Sequence, residues 1–254
     1  MEELSVLSLN LRFGLADDGP NGWEYRKESV VGLFRREQPD FIAAQEANHF
    51  QSDFLVRSLP DYGHIGRRHP APEFWQDNIL FYRKPIVCKE QAHFFLSETP
   101  FVPSRSFGSK FPRQGTLGLF HVAGRAIICV DTHLDFEPPA QMGAARVIEG
   151  QLASFPPEIP LILMGDFNAT PDSQCYKWFT GKEVDTRRRL DLKETFKEPY
   201  PGTFHGFTGE PTKGYIDWIL YRGPLHLKAC QVLQEPLDDT HPSDHFPVKA
   251  VFEF

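Results

Sequence analysis

The chain contains 254 residues, of which 41% are hydrophobic and 24% are charged, and its formal net charge is -7. This length allows one large domain with a substantial core. The acidic balance argues against a surface specialised for long duplex DNA, because such surfaces are usually basic. Short basic clusters at 67–68 and 187–189 are interpreted as solvated surface charge.

The cysteines and the chain start exclude further classes of protein. The four cysteines have no CxxC spacing, so neither a zinc site nor a disulfide framework is predicted. The first residues, MEELSVLSLNLRF, lack the basic segment and the long apolar run of a signal peptide, and no apolar stretch approaches bilayer length. We therefore expect a cytoplasmic protein with no membrane contact, and a monomer as its simplest state.

Strand and helix patterns alternate through the first part of the chain. Residues 4–11 alternate apolar and small polar side chains, as a strand does, and a polar loop follows at 14–22. Residues 24–37 carry their apolar residues on one helical face. A short apolar strand at 40–46 ends in a carboxylate, and residues 48–59 again have helical spacing.

The rest of the chain is richer in strands. Helices are predicted at about 139–155 and at 172–180, the second from the start signal of Pro171 and Asp172. Because strands occur in both halves, without a repeat or a linker, the pattern favours a single domain over residues 1–254, with two packed sheets and helices on the outside. The predicted strands are 78–83, 86–96, 115–122, 125–134, 161–165, 215–221, 225–233 and 245–254.

Polar residues follow the predicted strands more often than burial alone explains. A single Asp at a strand end is usually a helix cap or a turn residue. Several such ends commonly meet at one rim of a sheet, however, and ligand sites occur at such rims. The residues concerned are Asn10, Glu46, His133, Asp166, Asn168, Asp217, Asp244 and His245.

The side-chain types of this set suit the hydrolysis of a phosphate ester. Asn10 and Glu46 offer the hard oxygen ligands that magnesium prefers. Asp166 and Asn168 are separated by one residue, so on an extended segment their side chains point the same way. There the Asp can accept a proton from water while the Asn amide donates to a developing anion.

A second pair completes this chemistry. Asp217 can hold His245 as an imidazolium, and that cation can stabilise the negative charge on a phosphoryl oxygen. With a metal ion nearby, the whole set is typical of metal-assisted attack of water on a phosphate ester.

Six motifs occur in a familiar order: SLNLRFG, DFIAAQE, DTHLD, LILMGDFNATPDS, YIDWIL and PSDHFPV. With them the chain resembles the endonuclease/exonuclease/phosphatase superfamily, which has the deoxyribonuclease I-like fold, over essentially its whole length. GDFN and SDHFPV are the specific motifs, whereas LNLR and QE are weak. NGWEYRK and GTFHGFTG are most similar to a bacterial branch with undefined substrates, and the poly(A) deadenylase nuclease domains look like more distant relatives.

The resemblance implies a four-layer α/β sandwich of two mainly antiparallel sheets flanked by helices. It also implies a divalent metal, Mg²⁺ or Mn²⁺, held by Glu46 with Asn10 and Asp244 nearby. In this family pattern Asp166 activates water and Asn168 orients it. The family pattern further implies that His245, oriented by Asp217, contacts the scissile phosphate and that His133 lies on the phosphate side as well.

Three other side chains are candidates for substrate binding. Arg113 can bind a phosphate through its planar guanidinium, or it is a solvent-facing loop residue. His205 recognises substrate, or it is a packed loop histidine; Arg26 reaches a phosphate or supports Glu46, or it is a helix-surface charge. Phe74 and Trp75 can stack on a base, although packing within their loop is the preferred interpretation.

Three functions remain open on the sequence. The first is a metal-dependent phosphodiesterase or nuclease acting on nucleic acid or nucleotides. The second is a phosphatase for a small sugar, nucleotide or lipid-head-group phosphate. The third, a non-catalytic binding module, is disfavoured because every member of the polar set is present. Asp131 and Asp135, which flank His133, are expected to have supporting roles.

Overall fold

The computed structural model describes residues 3–68, 72–182, 190–237 and 239–254. The basic cluster at 187–189 lies outside these ranges. Within them the chain forms four α-helices, which are α1 (Trp23–Glu37), α2 (His49–Ser58), α3 (Pro138–Leu152) and α4 (Gln174–Phe179). The strands are β1 (Glu3–Asn10), β2 (Phe41–Ala47), β3 (Tyr62–Ile65), β4 (Asp77–Arg83), β5 (Val87–Phe95), β6 (Gln114–Val122), β7 (Arg125–His133), β8 (Leu161–Asp166), β9 (Lys193–Glu194), β10 (Asp217–Arg222), β11 (His226–Val232) and β12 (Val248–Glu253).

The strands form two sheets of six. The first sheet has the order β11–β12–β1–β2–β4–β3, and the second has the order β5–β6–β7–β8–β10–β9. Each sheet contains one parallel pair near its centre, β1 with β2 and β7 with β8, and its remaining neighbours are antiparallel. The predicted pair of mainly antiparallel sheets is therefore confirmed.

Three buried clusters explain how the layers hold together. One lies between the sheets, where Phe41 packs edge-on against Phe120 with ring centroids 4.9 Å apart. A second joins the apolar face of α1 and α2 to β1, β2 and β4. The third joins α3 and α4 to the other sheet and includes the stacked pair Phe167 and Trp218, with centroids 4.2 Å apart. The result is a helix–sheet–sheet–helix sandwich.

Several element boundaries differ from the sequence-based prediction. The last strand begins at Val248 rather than at residue 245, because the chain around His245 leaves the sheet and makes a single bridge with Phe204. Helix α4 begins after Ser173, whose hydroxyl accepts a hydrogen bond from the amide of Tyr176. Strands β3 and β9, of four and two residues, were not predicted. None of the helices in the described ranges has the length and apolarity needed to cross a bilayer.

Gly165 lies on β8 at a position where the neighbouring parallel strand β7 leaves no room for a side chain. Its φ is +147°, and a Cβ atom built on it would lie 1.9 Å from the carbonyl oxygen of Thr132 on the neighbouring strand. Since Gly165 pairs with Thr132 and directly precedes Asp166, a larger residue would push β7 and β8 apart beside the polar rim.

We expect Gly165→Ala to lower the free energy of unfolding by roughly 3 kcal/mol, because it combines backbone strain with a clash against a neighbouring strand. Urea denaturation of the purified variant measures this change. Gly150→Ala is the matched control: Gly150 lies in α3 with no heavy atom within 4 Å of its Cβ position, so we expect a gain of up to about 1 kcal/mol. Equal unfolding midpoints for the two variants would contradict the expectation.

Candidate active site

The second sheet brings three of the predicted residues into one row. His133, at the end of β7, pairs in register with Asp166, at the end of the parallel strand β8. On the other side of Asp166, the antiparallel strand β10 starts at Asp217, which is the register partner of Asp166. All three side chains are nearly fully buried. The row is therefore a direct product of strand pairing.

The first sheet contributes Asn10 and Glu46 from the ends of its own parallel pair. Asn10 is the last residue of β1 and pairs with Gln45, so Glu46 is one residue further along β2. The pairing of β2 with β4 shifts between Ala44 and Ala47, and Glu46 has a φ of +61°. Such irregularities turn a side chain away from the normal alternation of a strand. The irregular end of β2 thus sets the direction of the Glu46 carboxylate.

A single amide joins the two rims. Asn10 Nδ2 donates to Asp166 Oδ2 over 2.9 Å and to Glu46 Oε1 over 3.1 Å. Asn10 Oδ1 accepts the backbone N–H of Arg12 over 2.8 Å, which fixes the orientation of the amide. In this arrangement the amide nitrogen of Asn10, rather than its oxygen, faces the carboxylates.

Asp166 lies at the centre of the polar cluster. Its Oδ2 is 3.3 Å from His133 Nε2 and 3.9 Å from His245 Nε2, and its Oδ1 accepts the backbone N–H of Asn168 over 2.9 Å. Burial opposes ionisation, but His133 and His245 outweigh it and hold the pKa of the Asp166 carboxyl well below its usual range. Asp166 is therefore an anion at neutral pH.

Asn168 reaches the cluster by a different route from the one expected. Strand β8 ends at Asp166, and Asn168 has a φ of +49°, so the two residues do not share an extended segment. Its Nδ2 donates to the Leu134 carbonyl over 3.0 Å and lies 3.0 Å from His133 Nε2. Asn tolerates this left-handed conformation better than most residues. A turn, and not strand alternation, brings Asn168 next to Asp166.

His245 and Asp217 form the second charged pair. His245 Nδ1 is 2.9 Å from Asp217 Oδ2, and both side chains are buried. Burial favours the neutral imidazole, but Asp217 and Asp166 outweigh it and raise the pKa of His245 to about 10. Burial raises the pKa of Asp217 to about 6, against the opposing effect of His245. At neutral pH the pair is an imidazolium and a carboxylate.

Two carboxylates offer oxygen ligands for a cation. Burial opposes ionisation of Glu46, but His133 and Arg113 outweigh it and lower its pKa. Asp244 is 5% exposed and contacts Ser243 and, at 3.7 Å, Arg12. Buried carboxylate and amide oxygens are the donors that Mg²⁺ and Mn²⁺ prefer. The oxygens of Glu46 and Asp244 therefore fit such an ion, whereas the Asn10 amide turns its nitrogen toward Glu46.

A tighter group of possible ligands has another explanation. Within the described ranges, Asp166, Asp217 and His245 have donor atoms that all lie within 4.8 Å of one another. Since the His245 imidazolium already neutralises a carboxylate there, this group is internally compensated. The compensation does not require a metal ion.

Arg113 supports His133 from behind. Its Nη1 lies 2.9 Å from His133 Nδ1, and the side chain is 9% exposed. Asn168 Nδ2 contacts the other ring nitrogen, Nε2, over 3.0 Å, so the two side chains together orient the imidazole of His133.

A cleft of about 440 Å³ opens directly from this cluster and includes Glu46 and His133 in its wall. Aromatic side chains form much of the rest. The sequence pointed to two of them, Phe74 and Trp75, although it favoured packing within their loop. The full set of aromatic residues is Phe13, Phe74, Trp75, Phe111 and Phe136.

Two of the expected substrate contacts do not match the structure. Arg26 is fully buried, and its guanidinium donates to the carbonyls of Leu11, Arg12, Asn21 and Pro242. No part of this side chain is exposed to a phosphate. Its hydrogen bonds instead hold the segment after β1 against the one that precedes Asp244.

His205 is also fully buried, and its ring stacks on Phe246 with centroids 4.0 Å apart. Its Nδ1 accepts the backbone N–H of Gly209, and its own backbone N–H donates to the Asp244 carbonyl. The packed loop histidine, which the sequence left open, is the arrangement found. His205 shapes the loop of Asp244 and His245 and does not reach a substrate.

Asp135 has a larger role than the sequence indicated. Its Oδ2 accepts from Ser109 Oγ and from the amides of Lys110 and Phe111, and its Oδ1 accepts from the amides of Phe136 and Glu137. The only signal in the sequence was its position two residues after His133. Asp131 is buried between the sheets and accepts from Gln45 Nε2 over 2.7 Å, in a supporting position as expected.

Comparison with known proteins agrees with this geometry. The profile of the Endonuclease/Exonuclease/phosphatase family matches residues 7–245. The chain belongs to this family. Members of the family are phosphoester hydrolases, and so the protein is classed as an enzyme that acts on phosphate ester bonds.

Relatives and solved structures extend over nearly the whole chain. The Carbon catabolite repressor protein 4 homolog 4 of Arabidopsis thaliana is 26% identical, over 91% of this chain and 70% of that protein. An endonuclease/exonuclease/phosphatase from Bacteroides vulgatus is 26% identical with a TM-score of 0.90, over all of both chains. The mannosyl-6-phosphatase of Bacteroides thetaiotaomicron VPI-5482 is 28% identical with a TM-score of 0.86, over 99% of this chain and 100% of its own. The resemblance to this superfamily is therefore confirmed.

The pair of His245 and Asp217 predicts that His245 titrates at a higher pH than an ordinary histidine. Because the folded-state pKa of His245 is about 10 and its ordinary value is 6.5, protonation of His245 stabilises the fold fully below pH 6.5, and this stabilisation is lost as the pH rises toward 10. Asp217, with a pKa of about 6, is protonated at lower pH. In metal-free protein, we therefore expect the NMR signals of the His245 ring to stay constant between about pH 7 and 8.

Asp217→Asn should lower the midpoint of His245 by more than about one pH unit, since it removes the nearest carboxylate. His226, an exposed histidine of β11, provides the reference signal in the same spectra. A midpoint below pH 7 for His245 in the unmodified protein would rule out the imidazolium.

Proposed function

We propose that the protein is a divalent-metal-dependent phosphodiester hydrolase of the nuclease type, in which a water molecule attacks the phosphorus. The observation that supports this most directly is the placement of an ionised, buried Asp166 between two histidines, with Glu46 linked to it through Asn10. A carboxylate so placed can take a proton from water while neighbouring donors face the phosphate.

Each side chain then has a defined task. Asp166 holds and deprotonates the attacking water. The His245 imidazolium, kept charged by Asp217, donates from Nε2 to a phosphoryl oxygen and stabilises the charge that develops on it. Asn168 and His133 lie 3.0 Å apart and contact the oxygens on the other side of the phosphorus.

Glu46, Asp244 and Asn10 would hold Mg²⁺ or Mn²⁺. When bound, such an ion supplies positive charge beside a phosphoryl oxygen and makes the phosphorus easier to attack. Binding through Asn10 Oδ1 would require the amide to turn, because its nitrogen now faces Glu46 and Asp166 while its oxygen accepts from Arg12.

A phosphatase for small phosphate esters is the second candidate. The similarity to a mannosyl-6-phosphatase, at 28% identity over essentially the whole chain, favours it. The same residues would act in either reaction, because the chemistry at the phosphorus is shared and only the group around it differs.

We expect Asp166→Asn and His245→Ala each to reduce turnover by roughly a thousandfold or more, which is the scale of losing a general base or a charged donor. The assay compares plasmid DNA, single-stranded DNA and RNA, bis-p-nitrophenyl phosphate, and sugar and nucleotide monophosphates. Asp172→Asn, an exposed acid in the same loop, is the control and should retain activity. Near-normal turnover by the Asp166 or His245 variant would refute the assignment.

Removing the metal is an independent test. Treatment with EDTA should abolish hydrolysis, and addition of Mg²⁺ or Mn²⁺ should restore it, because the oxygen donors of Glu46 and Asp244 favour these ions. Activity that survives exhaustive chelation would argue against a metal-dependent reaction while leaving hydrolysis itself in place.

A further inference from the structure

A pair of polar side chains interrupts the apolar packing between the two sheets, next to the catalytic rim. On β2, Ala43 belongs to the apolar cluster between the sheets, and Gln45 follows it on the same face. On β7, Cys129 belongs to that cluster, and Asp131 follows it on the same face. Gln45 and Asp131 are both fully buried. An acid in such a place is unusual, because an ionised carboxylate is costly to bury.

Each side chain of this pair has one oxygen that is not used. Gln45 Nε2 donates to Asp131 Oδ1 over 2.7 Å and to Ser8 Oγ over 3.2 Å. Within the described ranges, Gln45 Oε1 and Asp131 Oδ2 are buried atoms without a hydrogen-bond partner. An amide oxygen and an ionised carboxylate only accept, so neither of these two oxygens can satisfy the other. A proton on Asp131 Oδ2 would supply the missing donor.

The surroundings of Asp131 contain no cation to balance a negative charge. None of the ion pairs in the described part of the chain includes Asp131. The ionisable groups further along the neighbouring strands belong to their ends: Glu46, Asp77, His133 and Asp166. The side chains on the strands around Asp131 are uncharged, namely Ser8 on β1, Gln45 on β2, Asn78 on β4, Thr116 on β6 and Met164 on β8.

Burial therefore dominates the ionisation of this acid. It raises the pKa of the Asp131 carboxyl well above its usual range. The hydrogen bonds from Gln45 and Asn78 and from the amides of Ala44 and Thr132 favour the charged form, but they do not outweigh burial. The unused oxygens and the absence of a neighbouring cation lead to the same conclusion on geometric grounds.

We propose that Asp131 is an un-ionised carboxylic acid whose Oδ2–H donates to Gln45 Oε1, so that acid and amide form two reciprocal hydrogen bonds between the sheets. The pair makes Asp131 a positioning residue. Gln45 directly precedes Glu46, and Asp131 lies two residues before His133 on the same strand, so the pair fixes β2 against β7 next to both side chains. The part played in catalysis rests on the proposed function, whereas the protonation state does not.

The pair has its largest effect on Glu46. Gln45 is the last residue of β2 that pairs with β1, opposite Asn10, and Glu46 then turns away with a φ of +61°. A turn that starts at this point needs a fixed residue before it, because a strand end without one can shift its side chains. Two directed hydrogen bonds hold Gln45 there without adding a second negative charge near Asp166.

Infrared spectroscopy detects the proton on Asp131 directly. Protein labelled with ¹³C at the aspartate Cγ is compared with the labelled Asp131→Asn variant at neutral pH. We expect the variant to lose the C=O band of a carboxylic acid. Asp172→Asn, which removes an exposed acid, is the matched control and should lose carboxylate bands instead. Loss of carboxylate bands in Asp131→Asn would overturn the proposal and indicate an ionised Asp131 that accepts from Asn78, whose Nδ2 also has no partner.

Two substitutions of Asp131 test the positioning role. Asn has the shape of the neutral acid and can donate through Nδ2, so Asp131→Asn should keep the pair and leave kcat and its pH profile nearly unchanged. Asp131→Val can neither donate nor accept. We expect it to lower kcat roughly tenfold or more, because small displacements of catalytic groups have effects on this scale. A normal kcat in Asp131→Val would overturn the positioning role.

A double variant separates position from stability. Asp131→Val leaves the Gln45 amide unpaired and should lower the unfolding midpoint in urea. In Gln45→Met/Asp131→Val both partners are apolar, so the midpoint should recover at least in part, since no polar group is left without a partner. We expect kcat not to recover with it. A double variant that regains both the midpoint and kcat would show that the pair contributes stability alone.

The ring of His133 reports its position without any turnover. In metal-free protein, the NMR signals of this ring should shift in Asp131→Val and in the double variant but stay in place in Asp131→Asn, with the exposed His226 as the reference. If no form hydrolyses any substrate, the proposed function fails, while these signals and the infrared bands still decide the present inference. Unshifted His133 signals in Asp131→Val would contradict it.

Discussion

The hydrogen bonds of one buried amide determine how the rest of the site is arranged. Asn10 spans from Glu46, on one sheet, to Asp166, on the other. Between the sheets lies mainly apolar packing, which is non-directional, together with buried hydrogen bonds such as that from Gln45 to Asp131. The hydrogen bond between the rims fixes the direction at the site, because it is favourable only in a narrow range of distance and angle. The position of each carboxylate thus depends on the other.

Charge compensation explains how so many ionisable groups can share a buried volume. Burying an isolated charge is costly, and the cost is reduced only when opposite charges and hydrogen bonds surround it. Here Asp166 and Asp217 face His245, while Glu46 faces His133 and Arg113. Carboxylates therefore face basic side chains across the cluster. A phosphodiester with one negative charge and a divalent metal ion would together add one positive charge.

The sequence predicted the features that depend on local patterns and motifs. It predicted less well the features that depend on contacts between distant segments. Strand patterns and the GDFN and SDHFPV motifs indicated the sandwich and the polar residues at its rim. They did not reveal the left-handed turn at Asn168, since Asn is compatible with either conformation. From the sequence, Arg26 was expected to reach a phosphate, to support Glu46 or to lie on the helix surface. Its full burial was not predicted, because a buried arginine is rare and its four carbonyl partners come from three separate segments. The hydrogen bonds between Asp135 and the loop before Arg113 join residues more than twenty positions apart, and no periodic pattern in the sequence predicts them.

Arg26 also limits the directions from which a ligand can reach the site. Its guanidinium fastens the segment after β1 to the segment that precedes Asp244, and both border the proposed metal ligands. That flank can open only if several buried hydrogen bonds to a charged group break together. On the opposite flank the Asp135 carboxylate holds the segments that carry Phe111 and Phe136, yet both rings stay about half exposed around the cleft. Arg26 thus closes one side of the site, and the cleft is accessible to a ligand from the aromatic side.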